Sequence, residues 1–257
     1  KVDSLWVEWP DGNRQLLTNV KANQHIDIQY KKANTQSASL YRNDFNKLMS
    51  EVTSEIGVTY KHKENEYDDY KKESLLPYKT SNLGPGMAVA DVNADGLDDF
   101  YIGAAKGSSG KLYLQKADGL FDETNKSIWK ADAVSEDIAA AFFDADADGD
   151  MDLYVVSGGN EFDPSSEKLQ DRLYLNDGNG NFTKSRKALP KMLTSGGCVT
   201  VGDYDNDGDM DLFVGGRIVT GQYPKAPRSY LLRNEKGIFL DVTQSLAPDL
   251  LEIGLVN

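Results

Sequence analysis

Cysteine, histidine and positive charge are what this chain has least of. Among its 257 residues are one Cys and two His, and 28 Lys and Arg face 41 Asp and Glu, for a formal net charge of −13. A lone Cys rules out a disulfide framework within the chain. It does not assign a compartment, because large exported β proteins can dispense with bridges. No basic patch suits nucleic acid, and no apolar run approaches the roughly 18 residues that a membrane span needs. The chain opens at Lys1 without a signal-peptide pattern, so it reads as mature, trimmed or a fragment. What is present is enough to build with: at 39% hydrophobic and 10% aromatic residues a substantial core is expected, rather than disorder or coiled coil.

The acid is concentrated. Residues 91–99, 144–152 and 203–211 hold fourteen carboxylates, which leaves 27 acidic residues against 28 basic ones elsewhere. The negative charge therefore belongs to three short loops.

Each loop sits in the same setting. A short apolar strand leads in (86–90, 138–143, 197–202) and a second leads out (100–104, 153–157, 212–216). A third follows at 111–115, 172–176 and 229–233, and a Gly-containing turn enters a fourth at 119–121, 180–182 and 237–239. Asn176-Asp-Gly-Asn-Gly180 supplies residues that tolerate positive φ in such hairpins. The loops recur at intervals of 53 and 59 residues, and four strands per interval predict propeller blades or another β array. The strands are mostly apolar, as sheets covered on both faces require. The expected fold is all-β: about three complete four-stranded blades of a β-propeller, plus a small N-terminal β unit. Residues 254–257 resemble the lead-in strand of a fourth unit cut short, which predicts a propeller truncated in a further blade.

The N-terminal stretch differs. Residues 5–9, a Pro10-Asp-Gly12 turn, 15–17 and 25–30 read as strands of a small β module over residues 1–32. Residues 33–42 read as a linker, and 43–257 as the blades. Phe45, Leu48, Met49 and Val52 have the spacing of a short amphipathic helix over 43–55. Residues 64–70 read as a polar loop.

In every loop, oxygen-bearing side chains stand at positions 1, 3 and 5, Gly at 6 and Asp at 9. Alternate residues converge on one point if the backbone turns sharply, and Gly permits that turn. With a main-chain carbonyl from position 7, such a set meets the demand of a hard cation for six to eight oxygens. No soft ligand is present, so zinc and copper fit poorly; magnesium prefers to keep its waters, and calcium fits better. Two carboxylates about 5 Å apart repel by roughly 3 kcal/mol at an effective dielectric near 20, so four or five within nine residues resist a compact loop without a cation. Three bound ions would bring the net charge from −13 to −7. An EF-hand needs a bidentate Glu at position 12, where this chain has Ile102, Val155 and Val214. Dockerin-like modules also want an acid there, thrombospondin-type repeats add cysteines, and the glycine-rich β-roll nonapeptide is absent.

Lead-in strand, Asp-x-[Asp/Asn]-x-Asp-Gly-x-x-Asp loop and lead-out strand together resemble the FG-GAP/VCBS repeat of integrin α-subunit propellers and bacterial surface proteins, over roughly residues 81–243. The resemblance implies about three structural calcium ions. Asp91, Asn93, Asp95 and Asp99 would hold the first, Asp144, Asp146, Asp148 and Asp152 the second, and Asp203, Asp205, Asp207 and Asp211 the third. Main-chain carbonyls of Leu97, Asp150 and Asp209 would complete the sets. The Phe-Gly half of the family name is not matched literally, which leaves the subfamily open. Residues 2–12 through Asn23-Gln24 resemble the end of an ASPIC/UnbV module, found in bacterial proteins beside such repeats.

No catalytic residue is expected. The repeated carboxylates are committed to metal, and a catalytic site is rarely written three times. His25 reads as packed or surface, His62 as a solvated strand end, Cys198 as a small buried thiol, and Trp6, Trp9 and Trp129 as packing residues. The expected function is a non-catalytic, calcium-stabilised scaffold, extracellular, on the cell surface or periplasmic, that binds a protein or glycan. Two alternatives stay open: a calcium-dependent polysaccharide lyase or glycosidase, and a structural subunit of a larger outer-surface assembly.

Overall fold

A computed structural model describes residues 2–9, 13–30, 35–36 and 49–256 of the chain. They fall into two compact units, Lys1–Glu51 and Val52–Asn257. In the first, β1 (Val2–Glu8), β2 (Asn13–Val20) and β3 (Thr35–Gln36) form an antiparallel sheet in that order. Leu5 pairs with Leu17 and Trp6 with Leu16, and Trp9 meets Tyr30 edge-on at 5.3 Å. The strand expected at 25–30 is irregular chain instead. The Pro10-Asp-Gly12 turn and most of the 33–42 linker lie outside the described residues. So does the first half of the expected helix; its remainder, from Met49, is irregular chain closing in a turn at residues 53–57.

The second unit is three four-stranded antiparallel sheets, each a simple meander of neighbouring strands. The first is β4 (Met87–Ala90), β5 (Asp99–Ile102), β6 (Lys111–Gln115) and β7 (Phe121–Thr124). The second is β8 (Asp137–Phe143), β9 (Asp152–Ser157), β10 (Arg172–Asn176) and β11 (Phe182–Ser185). The third is β12 (Ser195–Gly202), β13 (Asp211–Ile218), β14 (Tyr230–Glu235) and β15 (Ile238–Asp241). The architecture is all-β and propeller-like, with each acidic loop joining the first two strands of a sheet. Residues 254–256 are not a strand, but the Val256 amide donates to the Gly216 carbonyl at 2.9 Å. The Asp137 amide at the start of β8 makes the corresponding bond to Ala104, at 3.0 Å.

Strand periodicity explains why the lead-out strands are apolar throughout. All six residues of β9 are buried. Leu153 and Val155 join Tyr101, Leu112, Trp129, Tyr174 and Phe182 in the core between the first two sheets. Tyr154 and Val156 point the other way, into a core with Leu173, Leu212, Val214, Tyr230, Leu232 and Phe239. Successive side chains take opposite faces, so a strand covered on both sides has no polar face to offer. Each such side chain contributes roughly 1.5–3 kcal/mol on burial. Trp129 lies on a short helix, α1 (Lys126–Ala131), which the sequence reading missed. The lead-in strands approach so closely that a Cβ on Gly86 would stand 2.6 Å from the Ala139 backbone.

The polar stretch at 64–70 belongs to a strap that crosses all three sheets at the ends away from the acidic loops. Tyr60 Oη donates to the Gly103 carbonyl at 2.7 Å, and Asn65 Nδ2 donates to the Lys106 carbonyl at 3.0 Å. Buried Asn160 donates to Asp69 at 2.8 Å and to Glu73 at 2.7 Å, while Glu73 accepts the Tyr223 amide at 2.7 Å. Cys198 is half-buried rather than enclosed.

Candidate metal centres

Sequence places fourteen acidic side chains in three loops; the backbone decides how they face. In each loop two residues take the left-handed conformation. Gly at position 6 is one, with φ of 84° at Gly96, 95° at Gly149 and 96° at Gly208. Position 4 is the other: Ala94 at 58°, Ala147 at 63° and Asn206 at 62°. Asn tolerates that region and Ala does not, so the two alanines each carry a penalty of roughly 1 kcal/mol. Only Asn206 hinted at this second turn in the sequence.

The first carboxylate closes the turn. Asp91, Asp144 and Asp203 accept the position-6 amides of Gly96, Gly149 and Gly208 at 2.8, 3.0 and 3.1 Å. The position-5 carboxylates accept the position-7 amides: Leu97 to Asp95 at 2.9 Å, Asp150 to Asp148 at 3.0 Å and Asp209 to Asp207 at 2.9 Å. Those bonds hold the residues whose main-chain carbonyls, one peptide further on, are the expected ligands.

Position 9 does something the sequence reading did not anticipate. Asp99, Asp152 and Asp211 are buried, and each carboxylate accepts one amide from its own loop and one from the third strand. Asp99 takes Val92 at 3.0 Å and Gln115 at 2.7 Å. Asp152 takes Ala145 at 2.9 Å and Asn176 at 2.8 Å, and Asp211 takes Tyr204 at 3.1 Å and Asn234 at 2.8 Å. The residue is a structural pin as well as a candidate ligand.

In the second and third loops positions 1, 3 and 9 converge. Oxygens of Asp144, Asp146 and Asp152 lie within 4.8 Å of one another, as do those of Asp203, Asp205 and Asp211. Asp148 and Asp207 stand outside these groups. Among the described residues the first loop shows no such convergence of three acids; there Asn93 donates to Asp95 at 3.1 Å. At 4.8 Å each carboxylate pair repels by about 3 kcal/mol at an effective dielectric near 20. The effect shows in the protonation equilibria. Burial, then Asp148 and Asp144, raises the pKa of Asp146. Burial pushes Asp152 up to about 6 against the amides that favour its charge, and burial likewise raises Asp99. A cation among the oxygens removes both penalties. The donor set fits one: Asp144 Oδ1 and Asp146 Oδ1 are buried with no hydrogen-bond partner among the described residues, the condition in which an oxygen still has a lone pair to give. The acidic clusters can hold metal ions.

The loops also touch the next sheet. Asn176 Nδ2 donates to the Val92 carbonyl of the first loop at 2.7 Å and to Met151 of its own at 3.2 Å. Asn234 repeats this toward Ala145 at 2.8 Å and Met210 at 3.0 Å. A Cβ on Gly237 would come within 2.8 Å of Asp146 Cβ. Whatever orders one loop therefore orders the junction with the following sheet.

A family model for FG-GAP-like repeats matches residues 91–155 and 144–214, spanning the first and second, then the second and third acidic loops. A model for ASPIC and UnbV matches residues 1–35. No curated protein matches. Among solved structures, one of a protein assigned as an exo-beta-1,3-galactanase from Bifidobacterium bifidum s17 is similar at 11% identity, with a TM-score of 0.36. That similarity covers 61% of this chain and 51% of the other, so the chain spans about half the length of that protein.

Proposed function

We propose, from the premise that this chain is an FG-GAP-like repeat protein with an ASPIC and UnbV segment at its N-terminus, that it is a calcium-stabilised, non-catalytic scaffold presenting its loops to a protein or glycan partner. Its place is outside the cytoplasm, at the cell surface, in the periplasm or beyond. Among the described residues no helix is long and apolar enough to cross a membrane.

The convergence of Asp144, Asp146 and Asp152, with two buried oxygens left unpartnered, carries the calcium reading. Hard oxygen donors without sulfur or imidazole select calcium over zinc, and an irregular, carboxylate-rich donor set suits calcium's adaptable coordination better than magnesium's strict octahedron. Calcium here supplies charge neutralisation. Asp144 and Asp203 hold the turn, Asp152 and Asp211 pin it to the third strand, and Asn176 and Asn234 pass the constraint to the neighbouring sheet. The non-catalytic part of the reading is supported by the commitment of the position-1, position-5 and position-9 carboxylates to turn or pin.

Thermal melting with a chelator, then with calcium or magnesium restored, tests the reading. Extracellular calcium sites bind at about 0.1–1 mM, so 1 mM calcium adds roughly 0.4–1.4 kcal/mol per site. The expected result is a lower Tm in chelator, restored by calcium better than by magnesium. Identical melting curves would overturn the assignment.

A further inference from the structure

A cavity of about 280 Å³ opens where the second and third sheets meet, at the end away from the acidic loops. Its walls include the two longest connections between a second and a third strand, residues 158–171 in one sheet and 219–229 in the other. The strap fixes both. Glu73 takes the Asn160 side chain from the first connection and the Tyr223 amide from the second, each at 2.7 Å. Ser195 Oγ, at the start of β12, donates to the Gly159 carbonyl at 2.8 Å. Walls held in this way cost a ligand little ordering on binding.

Two residues of the lining carry polar atoms without partners. Thr220 is 2% exposed, and its hydroxyl has no hydrogen-bond partner among the described residues. Arg228 pairs with Asp241 through Nη2, but its Nε is buried and likewise unpartnered there. A buried polar group left unpaired bears its whole desolvation cost, so such a group calls for a ligand or a water. A hydroxyl donates and accepts, while the guanidinium N–H only donates, so the missing partner must be able to do both. Leu169 and Ile218, each 1% exposed, give the same lining an apolar part. Exposed Ser165, also in the lining, is held at φ 60°, a conformation uncommon for a residue other than Gly and of the kind that collects at ligand sites.

The charges of the lining cancel. Arg228 is neutralised by Asp241, and Lys225 and Glu252, the other two charged residues, have opposite signs. An ionic ligand would bring a charge with nothing to match it, and a chain of net charge −13 repels anions further. A neutral molecule with apolar C–H faces and hydroxyls that donate and accept matches every feature; a pyranose is such a molecule.

We propose that this cavity binds one neutral hexose ring. Thr220 exchanges hydrogen bonds with a sugar hydroxyl, Arg228 Nε donates to a second sugar oxygen, and Leu169 and Ile218 cover a C–H face. The volume stands just under the roughly 300–1,000 Å³ of small-molecule pockets, which leaves room for a single ring. The site rests on the glycan half of the function proposed above and is independent of calcium.

Amide NMR titration of the 257-residue chain, in millimolar calcium, with D-glucose and D-galactose and then with D-galacturonate as the anionic counterpart, tests this. The expected result is a saturable shift of the Thr220 and Ser165 amides with a neutral hexose, and none with D-galacturonate at the same concentration. Thr220→Val should weaken binding about threefold to tenfold, and Thr220→Ser, which keeps the hydroxyl, should bind as the wild type does. Should Thr220→Val not fold, the map of shifted amides in the wild type decides alone. No saturable shift with either neutral hexose, shifts confined to other parts of the chain, a preference for D-galacturonate, or unchanged affinity in Thr220→Val would overturn the proposal. A chain that melts lower in chelator yet gives no hexose shift keeps the calcium scaffold and loses this site; one that binds hexose but melts alike in chelator keeps the site and loses the calcium.

Discussion

Two substitutions in the third loop separate the metal from the pin. Asp205→Ala removes an exposed position-3 carboxylate whose charge is disfavoured by partial burial and by Asp207, Asp211 and Asp203. Without metal its loss relieves repulsion, so stability in chelator should stay within about 0.5 kcal/mol or rise slightly. With 1 mM calcium it should forfeit the binding contribution of that site, roughly 0.4–1.4 kcal/mol. Asp211→Ala removes a carboxylate that is 1% exposed and holds the amides of Tyr204 and Asn234. Losing these acceptors costs about 1–3 kcal/mol each, hence roughly 2–5 kcal/mol even in chelator. At about 2–4 °C per kcal/mol for a domain of this size, that is a fall in Tm of roughly 5–15 °C. Thermal melts of both variants, in chelator and in calcium, read the four values. If Asp205→Ala lowers Tm equally with and without calcium, position 3 is structural and the metal reading of the loops fails.

Asn234→Ala should cost about 1–3 kcal/mol, because it strands the carbonyls of Ala145 and Met210. It should also speed amide exchange in the second loop, a neighbour in space but not in sequence; unchanged exchange there would refute the coupling between loops and sheets. Asp171→Asn should flatten the pH dependence of stability. Burial pushes Asp171 up to about 7 from 3.8, against the bonds from Ser157 and Tyr154 and the charge of Arg172. Between those values the folded state holds a proton that the unfolded state has lost, so stability is full below about pH 4 and falls as pH rises through about 7. The variant should therefore gain on the wild type from pH 5 to 8 in urea titrations, and parallel curves would refute the assignment.

The blades were legible because they repeat. A strand covered on both faces must be apolar, and a turn that closes on a carboxylate must carry Asp and Gly at fixed spacing; both constraints are local and act three times. The helix around Trp129 escaped because six residues, under two turns, are too few for a helical period to register. His62 read as a solvated strand end because its neighbour Tyr60 is fixed by the Gly103 carbonyl, which only the path of the strap brings near.

Local chemistry thus determined the strand–loop–strand unit, its count and its oxygen-rich bends, since each depends on residues within about ten positions of one another. Tertiary structure alone decided that Asp152 and Asp211 brace the third strand, that Asn176 and Asn234 fasten each sheet to the loop before it, and that Thr220 lies buried without a partner among the described residues. Those outcomes depend on groups tens of residues apart, and the sequence holds no period or spacing that measures such distances before the sheets pack.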